Sequence, residues 1–490
     1  MKIKQKIPQE IIEIAEKLNR NGFEAYLVGG CVRDLLLNIS PKDWDITTNA
    51  KPVEIQKIFE NSIYENEFGT VAIKTDSQIP SLKIIEVTTF RSEGQYWDKR
   101  HPSEVIFVSS LKEDLARRDF TINALAIKIP PSNENLEIVD YYGGLDDLKN
   151  KILKAVGNPY DRFSEDALRL LRAIRIATEF NLTIEDETQK AIKNNAQLLQ
   201  KISKERIRDE FIKIIMLNNA ALGINRLHEF NLLTFIIPEL ENTIGISQNK
   251  HHIYDVWEHS LRSLDYAAKK NFSLEIRLAA LFRDIGKPQV KQGEGENATF
   301  YNHEAVGAKI TKKILIRLCF PKEVIDKVTL LVKYHLFYYN VEEVTEAGVR
   351  RFIKRVGKEN IDDLIKVREA DRIGSGVPKA RPYRLRHLLF MIDKVSHDPI
   401  STRNLKINGN DLMENLNLTP SKRIGYLLNI LLEKVLDNPD LNDREKLLLE
   451  AKKLNKLSDL ELEKLTLQSK NKQQEFESGI LEELKKKHAV

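Results

Sequence analysis

The stretch Leu27–Thr48, LVGGCVRDLLLNISPKDWDITT, decides the fold of the first part of the chain. The apolar run that ends before Gly29 predicts a β-strand, and the run that follows Gly30 has the apolar spacing of a helix. The two glycines therefore stand where a strand turns into a helix, and their backbone amides could approach a phosphate closely. Most glycine pairs after strands are only turns, so this pair indicates a function only together with other residues.

Two carboxylates complete the pattern at the end of the same stretch. Asp43 and Asp45 are two residues apart, so on a strand both side chains would point to one face. Such a pair could hold two Mg²⁺ ions roughly 3.5–4 Å apart, which would activate an attacking 3′-hydroxyl group and neutralise a leaving pyrophosphate. An isolated Asp-x-Asp is usually a solvated pair in a turn, but its combination with the glycine pair and Arg33 predicts a nucleotidyl-transfer centre.

The periodicity of apolar residues divides the chain into an α/β part and a helical part. Short runs rich in β-branched and aromatic residues recur up to about Gly144, among them AYLV, WDIT, GTVAIKT, KIIEVTTF, SEVIFV and LEIVD. They predict the strands of a mixed α/β or α+β domain. From about Phe163 the apolar residues recur at helical spacing to the end, with Ser164 as the N-cap of the first helix, which predicts an all-α remainder.

Bulk composition limits the class of protein. With 490 residues the chain exceeds what one hydrophobic core usually serves, so we expect several domains. The 77 basic residues exceed the 72 acidic ones by a net charge of only +5, so any phosphate-binding surface must be a local patch. Cys31 and Cys319 lie far apart and predict no disulfide framework, and no apolar run approaches the length of a membrane span. We therefore expect a soluble cytoplasmic protein with no membrane partner.

The ordered motifs resemble one known family. GGCVRDLLL followed by DWDITT resembles the signature of the class II tRNA nucleotidyltransferase and bacterial poly(A) polymerase family, within the DNA polymerase β-like superfamily. EVTTFRSEGQYWDKRHPSEVIFV resembles the flexible loop region of that family, DLARRDFTINALAI its ribose-contacting motif and IVDYYGGLDDL its hinge motif, with EDALRLLRAIR and ERIRDEF after them. The likeness runs motif by motif from about Ala25 to Phe211. It implies a polymerase β-like nucleotidyltransferase head, α/β or α+β, followed by an all-α remainder.

The resemblance also implies roles for individual residues. Asp43 and Asp45 would be the catalytic pair and the ligands of the Mg²⁺ ions. The residues implied to hold the triphosphate are Gly29, Gly30 and Arg33, and those implied near the incoming ribose are Arg118, Asp119 and Asn123. Glu86, on the predicted strand KIIEVTTF, is the candidate third carboxylate and metal ligand, or else an ordinary glutamate on the surface of a strand.

A second constellation could read a base without a template. Asp166 and Arg169 are three residues apart, which predicts that they share one face of a helix. Cytosine and adenine each present an amino donor beside a ring acceptor, and a carboxylate next to a guanidinium complements both edges. Uracil and guanine present the opposite order, and unpaired buried polar groups can reject a wrong substrate by roughly 10⁴-fold or more. The pair, assisted by Arg172, predicts CTP and ATP as substrates, as the resemblance implies; a plain helical ion pair is the alternative.

The order of addition needs a further device. In the family that the chain resembles, the growing RNA end and a flexible loop reshape the pocket between additions, and members that add only the two cytidines look shortened in this loop. The stretch Arg91–Pro102 resembles an intact loop, whose charged members are Glu93, Asp98, Lys99 and Arg100. The resemblance therefore implies synthesis of a complete CCA end.

A third constellation resembles the metal-dependent HD phosphohydrolase domain that is fused to some members of the family. Its residues are spread over WEHSL, LAALFRDIGKP, YNHEAVGA, YHLFYY and EADR, and they are His259, Asp284, His303, His335 and Asp371. Where that domain normally has a His-Asp pair, this chain has Arg283 before the aspartate, and arginine offers no lone pair to a cation. We expect a non-hydrolytic remnant that holds no metal or a single ion; a live phosphatase or phosphodiesterase with an altered centre is the alternative.

Three basic runs in the helical part are candidates for contact with RNA phosphates. They are RRFIKR (Arg350–Arg355), KARPYRLRH (Lys379–His387) and the SKR run around Lys422. Together they could grip the acceptor arm and elbow of a tRNA through its backbone. Each run alone could equally be a solvated helix face.

These observations predict an enzyme that adds the 3′-terminal CCA to tRNA or its precursor from CTP and ATP, without a template, by two-metal nucleotidyl transfer. An RNA nucleotidyltransferase that adds only CC, only A or a poly(A) tail shares the same catalytic motifs and is the alternative; an HD phosphohydrolase is a third. The expected division is a catalytic head over residues 1–147, a helical neck with the base-recognition helix over 148–235, an HD-like domain over 236–375, and a helical tRNA-binding tail with a polar C-terminal extension over 376–490.

Overall fold

The computed structural model describes residues 3, 6–64, 69–93, 105–129, 136–248, 253–294, 297–337, 339, 345–395 and 402–467. The chain forms two compact units. The first comprises residues 1–246 with 268–274 and 313–322, and the second comprises 247–267, 275–312 and 323–490. Within the described ranges no helix is both long and apolar enough to cross a membrane.

A seven-stranded sheet forms the centre of the first unit, in the order β3-β4-β5-β2-β1-β8-β9. Strands β2 and β5 run parallel, and the other neighbouring pairs run antiparallel. The strands of this sheet are β1 (Ala25–Val28), β2 (Asp45–Thr48), β3 (Ser62–Tyr64), β4 (Thr70–Lys74), β5 (Ile84–Thr89), β8 (Leu125–Lys128) and β9 (Glu137–Asp140). A separate ribbon pairs β6 (Arg91–Glu93) with β7 (Val105–Phe107), and a short parallel pair joins β10 (Ile152–Leu153) to β11 (Thr183–Ile184).

One face of the sheet is apolar and packed, and the other carries polar residues at the edge of the candidate site. Along β5 the side chains of Ile85 and Val87 are buried whereas Glu86 is exposed, the alternation expected of a half-buried strand. The parallel register places Asp45 of β2 beside Glu86 of β5. Because side chains alternate between the faces of a strand, these two carboxylates project from the same face.

Helices surround the sheet and continue as the remainder of the first unit. They are α1 (Gln9–Arg20), α2 (Gly30–Leu36), α3 (Pro52–Ile58), α4 (Leu111–Ala116), α5 (Gly144–Lys149), α6 (Pro159–Glu165), α7 (Leu168–Glu179), α8 (Asp186–Asn195), α9 (Lys204–Ile215), α10 (Ala220–Glu229) and α11 (Pro238–Glu241). Helix α7 packs against α9 and α10, and α6 packs against α8. The apolar stripe of α7 is therefore covered by the helices that follow it.

The rest of the chain is helical. Its helices are α12 (Val256–Lys269), α13 (Leu274–Phe282), α14 (Lys287–Val290), α15 (His303–Arg317), α16 (Lys322–Tyr334), α17 (Glu346–Val356), α18 (Ile361–Gly374), α19 (Tyr383–Val395), α20 (Gly409–Leu416), α21 (Lys422–Asp437) and α22 (Arg444–Leu454). Helix α17 packs against α19 and α21. A cluster of buried leucines, among them Leu412, Leu427, Leu431 and Leu447, forms the core shared by α20, α21 and α22.

The fold class predicted from the sequence is confirmed: an α/β head is followed by an all-α remainder. The prediction of one helix starting at Ser164 is wrong, because α6 starts earlier and ends at Glu165. The side chain of Asn158 accepts a hydrogen bond from the Tyr160 amide and caps α6 ahead of a proline, a strong local start signal. Asp166 then adopts an extended conformation, with φ −132° and ψ 104°, and a new helix begins at Leu168.

Candidate functional site

Gly29 lets the backbone turn from β1 into α2 beside two charged side chains. Its φ of +77° lies in the left-handed region that side chains rarely adopt. A Cβ atom at this position would lie 2.9 Å from Nη1 of Arg118 and 3.6 Å from Oδ2 of Asp45. A side chain here would displace the guanidinium of Arg118, and the backbone conformation itself favours glycine. The Gly29 backbone, Asp45 and Arg118 meet at one point.

Asp43 and Asp45 differ in their surroundings. Asp45 is the first residue of β2, whereas Asp43 lies in the bend before it, so the prediction that both stand on a strand holds only for Asp45. A bend at Lys42 and Asp43 precedes the strand. Asp43 is exposed and Asp45 is partly buried. Burial raises the pKa of the Asp45 carboxyl; Arg118 opposes this and the charge of Asp43 adds to it.

Glu86 stands next to Asp45 in the neighbouring strand, as the parallel register requires. Both are acceptor-only oxygen ligands when ionised, the type that Mg²⁺ prefers. In the described part of the chain, the sets of three ligand atoms that come within 4.8 Å of one another lie elsewhere, so the carboxylates of Asp43, Asp45 and Glu86 do not converge this closely. The role of Glu86 as a third ligand stays a prediction.

A chain of hydrogen bonds connects four of the predicted site residues. Nη1 of Arg33 donates to Oδ1 of Asn123 at 2.8 Å, and Nδ2 of Asn123 donates to Oδ1 of Asp119 at 3.1 Å. Arg172 completes the chain by donating from Nε and Nη2 to Oδ2 of Asp119, at 2.8 and 2.6 Å. Hydrogen bonds thus connect residues predicted to bind the triphosphate, the ribose and the base.

Neighbouring charges and hydrogen bonds keep Asp119, in the middle of this chain of hydrogen bonds, in its ionised form. Burial alone would raise the pKa of Asp119, but the charge of Arg172 and the hydrogen bonds from Asn123 and Arg172 hold it well below its usual range. Asp119 in turn raises the pKa of Arg172. Arg33 is held at its other nitrogens by Asp34, at 3.0 and 2.7 Å, and its guanidinium lies 4.3 Å from the centre of the Phe180 ring. Arg33 is therefore turned toward Asn123 and Asp34.

Asp166 and Arg169 do not share a helix face, so that part of the prediction is wrong. Arg169 belongs to α7, whereas Asp166 precedes it in extended conformation and accepts a hydrogen bond from the Leu168 amide at 3.0 Å. An aspartate that binds the backbone two residues on competes with helix continuation, which explains the break. The two residues still flank the same helix start.

Each member of this pair is oriented by a partner of opposite charge. Oδ2 of Asp166 accepts from Nη2 of Arg206 at 2.8 Å. Nη1 of Arg169 donates to Oε2 of Glu165 at 2.6 Å, and its Nη2 donates to the carbonyl oxygen of Arg117 at 3.0 Å. The side chains of the base-reading pair are thereby held in place before any nucleotide binds.

Two positioning residues were missed by the sequence reasoning. Arg206 lies in the motif ERIRDEF, whose sequence alone does not indicate a role for either of its two arginines. Asp114 is fully buried and forms ion pairs with Arg117 at 2.9 Å and with Arg118 at 3.5 Å. Its burial could not be read from the charged run LKEDLARRD, whose pattern is also that of a solvated helix.

The predicted flexible loop lies mostly outside the described residues. Asp98, Lys99 and Arg100 belong to the undescribed range 94–104, and of Glu93 only its place at the end of β6 is described. The antiparallel pairing of β6 with β7 fixes both ends of this segment, with Arg91 opposite Phe107. The role of these four residues stays a prediction.

The five predicted HD residues come together in the second unit. Two sets have ligand atoms within 4.8 Å of one another: Asp284, His303 and His335 form one, and His259, Asp284 and Asp371 form the other. Nε2 of His259 lies 3.1 Å from Oδ1 of Asp371. The residue grouping predicted from scattered motifs is therefore present.

The basic runs predicted to bind RNA differ in exposure. Arg350 is buried and donates to the carbonyl oxygen of Leu436 at 3.1 Å. Arg351 and Lys354 form ion pairs with Glu433 at 3.2 and 3.0 Å. Three cations of the run RRFIKR thus join α17 to α21 and are turned away from solvent phosphates.

The run around Lys422 shows the same inward turn. Nε of Arg423 donates to the side-chain oxygen of Asn455 at 2.8 Å, and its Nη2 donates to the carbonyl oxygens of Asn455 and Leu457 at 2.7 Å each. On α19, in contrast, Arg384 and Arg386 are exposed. The described residues form no ion pair with either of them. The run on α19 is the best placed of the three to meet RNA.

Family models match the chain in the order of these features. A model described as the poly(A) polymerase head domain matches residues 25–154. One described as a probable RNA and SrmB-binding site of polymerase A matches residues 181–244, and one described as the HD domain matches residues 256–375.

Relatives and solved structures agree with these matches. The CCA-adding enzyme of Ligilactobacillus salivarius is 33% identical over 458 residues, which cover 92% of this chain and 98% of that protein. The CCA-adding enzyme of Enterococcus faecalis is 48% identical over 224 residues, 45% of this chain and 51% of that protein. The crystal structure of the Bacillus stearothermophilus CCA-adding enzyme in complex with CTP superposes with a TM-score of 0.68 at 27% identity, covering 91% of this chain and 97% of that one. Identity along nearly the whole of both chains, together with the three family models, shows that the chain belongs to the CCA-adding enzyme family of class II tRNA nucleotidyltransferases and carries an HD domain.

Proposed function

We propose that this chain completes the 3′ end of tRNA by adding C, C and A from CTP and ATP without a nucleic-acid template. The observation that carries the proposal is the series of side-chain hydrogen bonds that runs from Arg33 through Asn123 and Asp119 to Arg172. It connects the glycine turn with the start of α7, where Asp166 and Arg169 stand. A nucleotide bound at the glycine turn by its phosphates would reach that helix start with its base.

The carboxylates fit a divalent cation. Burial and the charge of Asp43 disfavour the ionised Asp45 in the metal-free fold, so a cation would relieve an existing electrostatic conflict. Asp43 and Asp45, with Glu86 as a third candidate, would hold Mg²⁺, which supplies activation of the RNA 3′-hydroxyl group and neutralises the leaving pyrophosphate. The finer proposal of two such ions rests on the family resemblance and this donor set.

The protein's own residues would bind and orient the triphosphate. The backbone at Gly29 and Gly30 approaches without side chains in the way, and Arg118 lies beside Gly29. Nε of Arg118 is buried without a hydrogen-bond partner among the described residues, so this guanidinium is a candidate for the phosphate-binding cation. Arg33, held by Asp34 and Asn123, would act by positioning Asn123 at the ribose.

Base selection would come from the oriented pair at the start of α7. Arg206 holds the Asp166 carboxylate and Glu165 holds the Arg169 guanidinium, so neither is free to rotate to suit a wrong base. A carboxylate accepting from an exocyclic amine, beside a guanidinium donating to a ring nitrogen, accepts cytosine and adenine and leaves uracil and guanine with facing donors or facing acceptors.

Incorporation into tRNA that lacks its 3′ end tests the proposal. With each labelled nucleotide in turn and products resolved by length, we expect two additions from CTP, one further addition when ATP is also present, and none from UTP or GTP. Asp43→Ala should abolish incorporation, whereas the exposed Asp76→Ala of the same unit should not. Addition of cytidines alone, of one adenosine alone or of a long A tail would replace the proposal by a narrower specificity.

The domain division inferred from the sequence is part of the proposal. Residues 1–147 would be the catalytic head, 148–235 the neck with the base-reading helix, 236–375 the HD-like domain and 376–490 the RNA-binding tail. The exposed Arg384 and Arg386 of α19 support contact between the tail and the phosphates of the tRNA.

The tail would also stack on RNA bases, since aromatic rings accompany those arginines. His387 lies 6.0 Å from the Tyr383 ring and 6.1 Å from the Phe390 ring, and both outer rings are more than half exposed. Exposed rings beside cations suit unpaired bases next to a phosphate backbone. We therefore assign the RNA contact of the tail to α19 in preference to α17.

A further inference from the structure

The HD domain match over residues 256–375 implies a metal centre at the five clustered HD residues. Whether these residues fit a metal depends on which atoms their carboxylates already face. Lys287 Nζ lies 3.0 Å from Oδ1 of Asp284, and Arg283 Nη2 lies 3.2 Å from Oδ2 of the same residue. Arg283 Nε lies 3.0 Å from Oδ1 of Asp371, and Arg368 Nη1 lies 2.7 Å from its Oδ2. Every carboxylate oxygen of the cluster therefore faces a cation of the protein itself.

Arg283 occupies the centre of this arrangement. Its side chain is fully buried, and it reaches both aspartates and the carbonyl oxygen of Ala280. A histidine at this position would offer a lone pair to an ion, whereas the guanidinium offers only donors. The guanidinium therefore lies between the two carboxylates that a bridging cation would otherwise bind.

The charge balance of the cluster points the same way. Two carboxylates, Asp284 and Asp371, face three side-chain cations, Arg283, Lys287 and Arg368, and the carboxylate of Glu304 lies 3.8 Å from Nδ1 of His303. Asp284, Arg283 and Lys287 are buried, where interactions between charges are poorly screened. A divalent cation would therefore enter a site whose two aspartates are already neutralised by cations of the protein.

His303 and His335 keep the orientation of metal ligands. The oxygens of Asp284, which both rings face, already contact Lys287 and Arg283. Nδ1 of His303 lies 2.7 Å from the Phe300 carbonyl oxygen and Nδ1 of His335 lies 2.7 Å from that of Val332, so each Nε2 faces Asp284, at 3.4 and 3.8 Å. Nε2 of His303 has no hydrogen-bond partner among the described residues. The contact of Arg283 Nη2 with Asp284 likewise lacks the alignment of a hydrogen bond.

We infer that the guanidinium of Arg283, assisted by Lys287, takes the place of the metal ion, and that the HD centre of this chain is a metal-independent ionic hub. The hub joins α12 through His259, the end of α13 through Asp284 and α18 through Asp371. Its role is to hold these helices together, and it provides no bound water for hydrolysis. The inference does not depend on the proposed nucleotide addition.

Metal titration of the full-length chain tests the inference. The starting protein carries Asp43→Asn and Asp45→Asn, so that the head contributes no site, and is stripped with a chelator. Calorimetry with Mn²⁺ and with Zn²⁺, and elemental analysis after dialysis, then give the number of ions bound. We expect the stripped protein to bind no ion at the HD centre and Arg283→His to gain one equivalent that survives dialysis.

Two further variants locate the gained site. Adding His259→Ala to Arg283→His should remove the gained equivalent, because His259 would be one of the ligands of the ion, together with Asp284 and Asp371. Arg277→His, at a buried arginine within α13, should gain nothing, which controls for the affinity of an added histidine. Equal gains by Arg277→His and Arg283→His would overturn the inference.

The starting protein decides the question even where Arg283→His fails to fold. Its melting temperature should be the same in chelator and in excess Mn²⁺ or Zn²⁺, since an ion that binds only the folded state would raise it. One tightly bound equivalent that disappears on His303→Ala or His335→Ala would show a true metal site and overturn the inference.

Discussion

Asp45 is a partly buried carboxylate whose ionised form the metal-free fold disfavours, because burial and the charge of Asp43 both raise its pKa. A folded-state pKa above the unfolded value means that protonation stabilises the fold, and that this stabilisation is lost as the pH rises through the folded pKa. At neutral pH the ionised Asp45 therefore weakens the metal-free protein. Asp45 thus lowers the stability of the metal-free fold, as expected of a residue whose role is to bind a cation.

Asp45→Asn should separate stability from activity. In the presence of a chelator at neutral pH we expect a higher melting temperature than for the unaltered chain, because the disfavoured charge is gone. Nucleotide incorporation should fall by at least about 10³-fold, since several kcal/mol of charge stabilisation at the transition state would be lost. The exposed Asp76→Asn is the matched control and should change neither measurement. A melting temperature that falls would contradict the electrostatic account.

The pKa of Asp119 is shifted in the opposite direction to that of Asp45. Its pKa is held well below the usual range by Arg172 and Asn123 in spite of burial, so its stabilising contribution is complete above the unfolded value of about 3.9 and is lost as the pH falls through the folded pKa. Asp119→Asn should lower the free energy of unfolding at pH 7 by about 2 kcal/mol, because Arg172 loses its partner. The difference should shrink below a pH of about 4.

Urea unfolding at several pH values measures this difference directly. The exposed Asp76→Asn, outside the helices, serves as the control and should match the unaltered chain throughout. A difference between Asp119→Asn and the unaltered chain that persists undiminished at pH 3 would mean that the lost contact is not ionic.

Elements with strong periodicity were predictable, and those set by one local side chain were not. The strand candidates AYLV, GTVAIKT and KIIEVTTF appear as β1, β4 and β5 because alternation and β-branched residues specify a half-buried strand. Strands β10 and β11 have two residues each and leave no pattern to detect. The break at Asp166 depends on a hydrogen bond to the Leu168 amide, which spacing alone does not reveal.

The candidate site shows the same division. Its residue types and their order along the chain follow from the motifs, whereas the contacts between them depend on distant packing. Arg33 and Asn123 are 90 residues apart yet share a hydrogen bond of 2.8 Å. Arg206 and Asp166 are 40 residues apart and form an ion pair. Such pairings arise from tertiary structure, so the sequence predicts the residues of the site but not the contacts between them.

Helices α17 and α19 should separate structural cations from RNA-binding cations. Arg384→Ala with Arg386→Ala should weaken tRNA binding and reduce the salt slope of the affinity by about 1 to 2, since each phosphate contact releases counterions. Arg351→Ala with Lys354→Ala should leave the affinity unchanged and lower the melting temperature, because both residues form ion pairs with Glu433 of α21.

Binding of tRNA at several salt concentrations, measured beside thermal melting, distinguishes the two helices. The two double variants each remove two positive charges, so the change in net charge is the same in both. If the α17 variant lost affinity with the larger change in salt slope, the assignment of the RNA contact to α19 would be wrong.

At the scale of the whole molecule, the first compact unit depends on residues that lie far along the chain. Residues 313–322 belong to it, and Leu315, Leu318 and Phe320 in this segment are buried. Arg317 forms an ion pair with Glu239 at 2.6 Å and donates to the carbonyl oxygen of Ile236 at 3.2 Å. The unit is therefore discontinuous in sequence.

A fragment that ends at residue 246 should be less stable than the same unit in the full chain. Each large apolar side chain lost from the interior removes about 1.5–3 kcal/mol of burial, and the segment carries four of them, Ile314, Leu315, Leu318 and Phe320. We expect a lower melting temperature and binding of 8-anilinonaphthalene-1-sulfonate to the exposed surface. A matched fragment that ends at residue 322 restores the segment and should recover most of the loss. Equal melting temperatures for the two fragments would contradict this account.

The return of residues 313–322 to the first unit also bears on how the protein is made. During synthesis the sheet and its glycine turn emerge from the ribosome long before α15 does. Until that helix has emerged, the surface that it covers stays open to solvent and to chaperones. The nascent first unit therefore cannot reach its final stability until α15 has been translated.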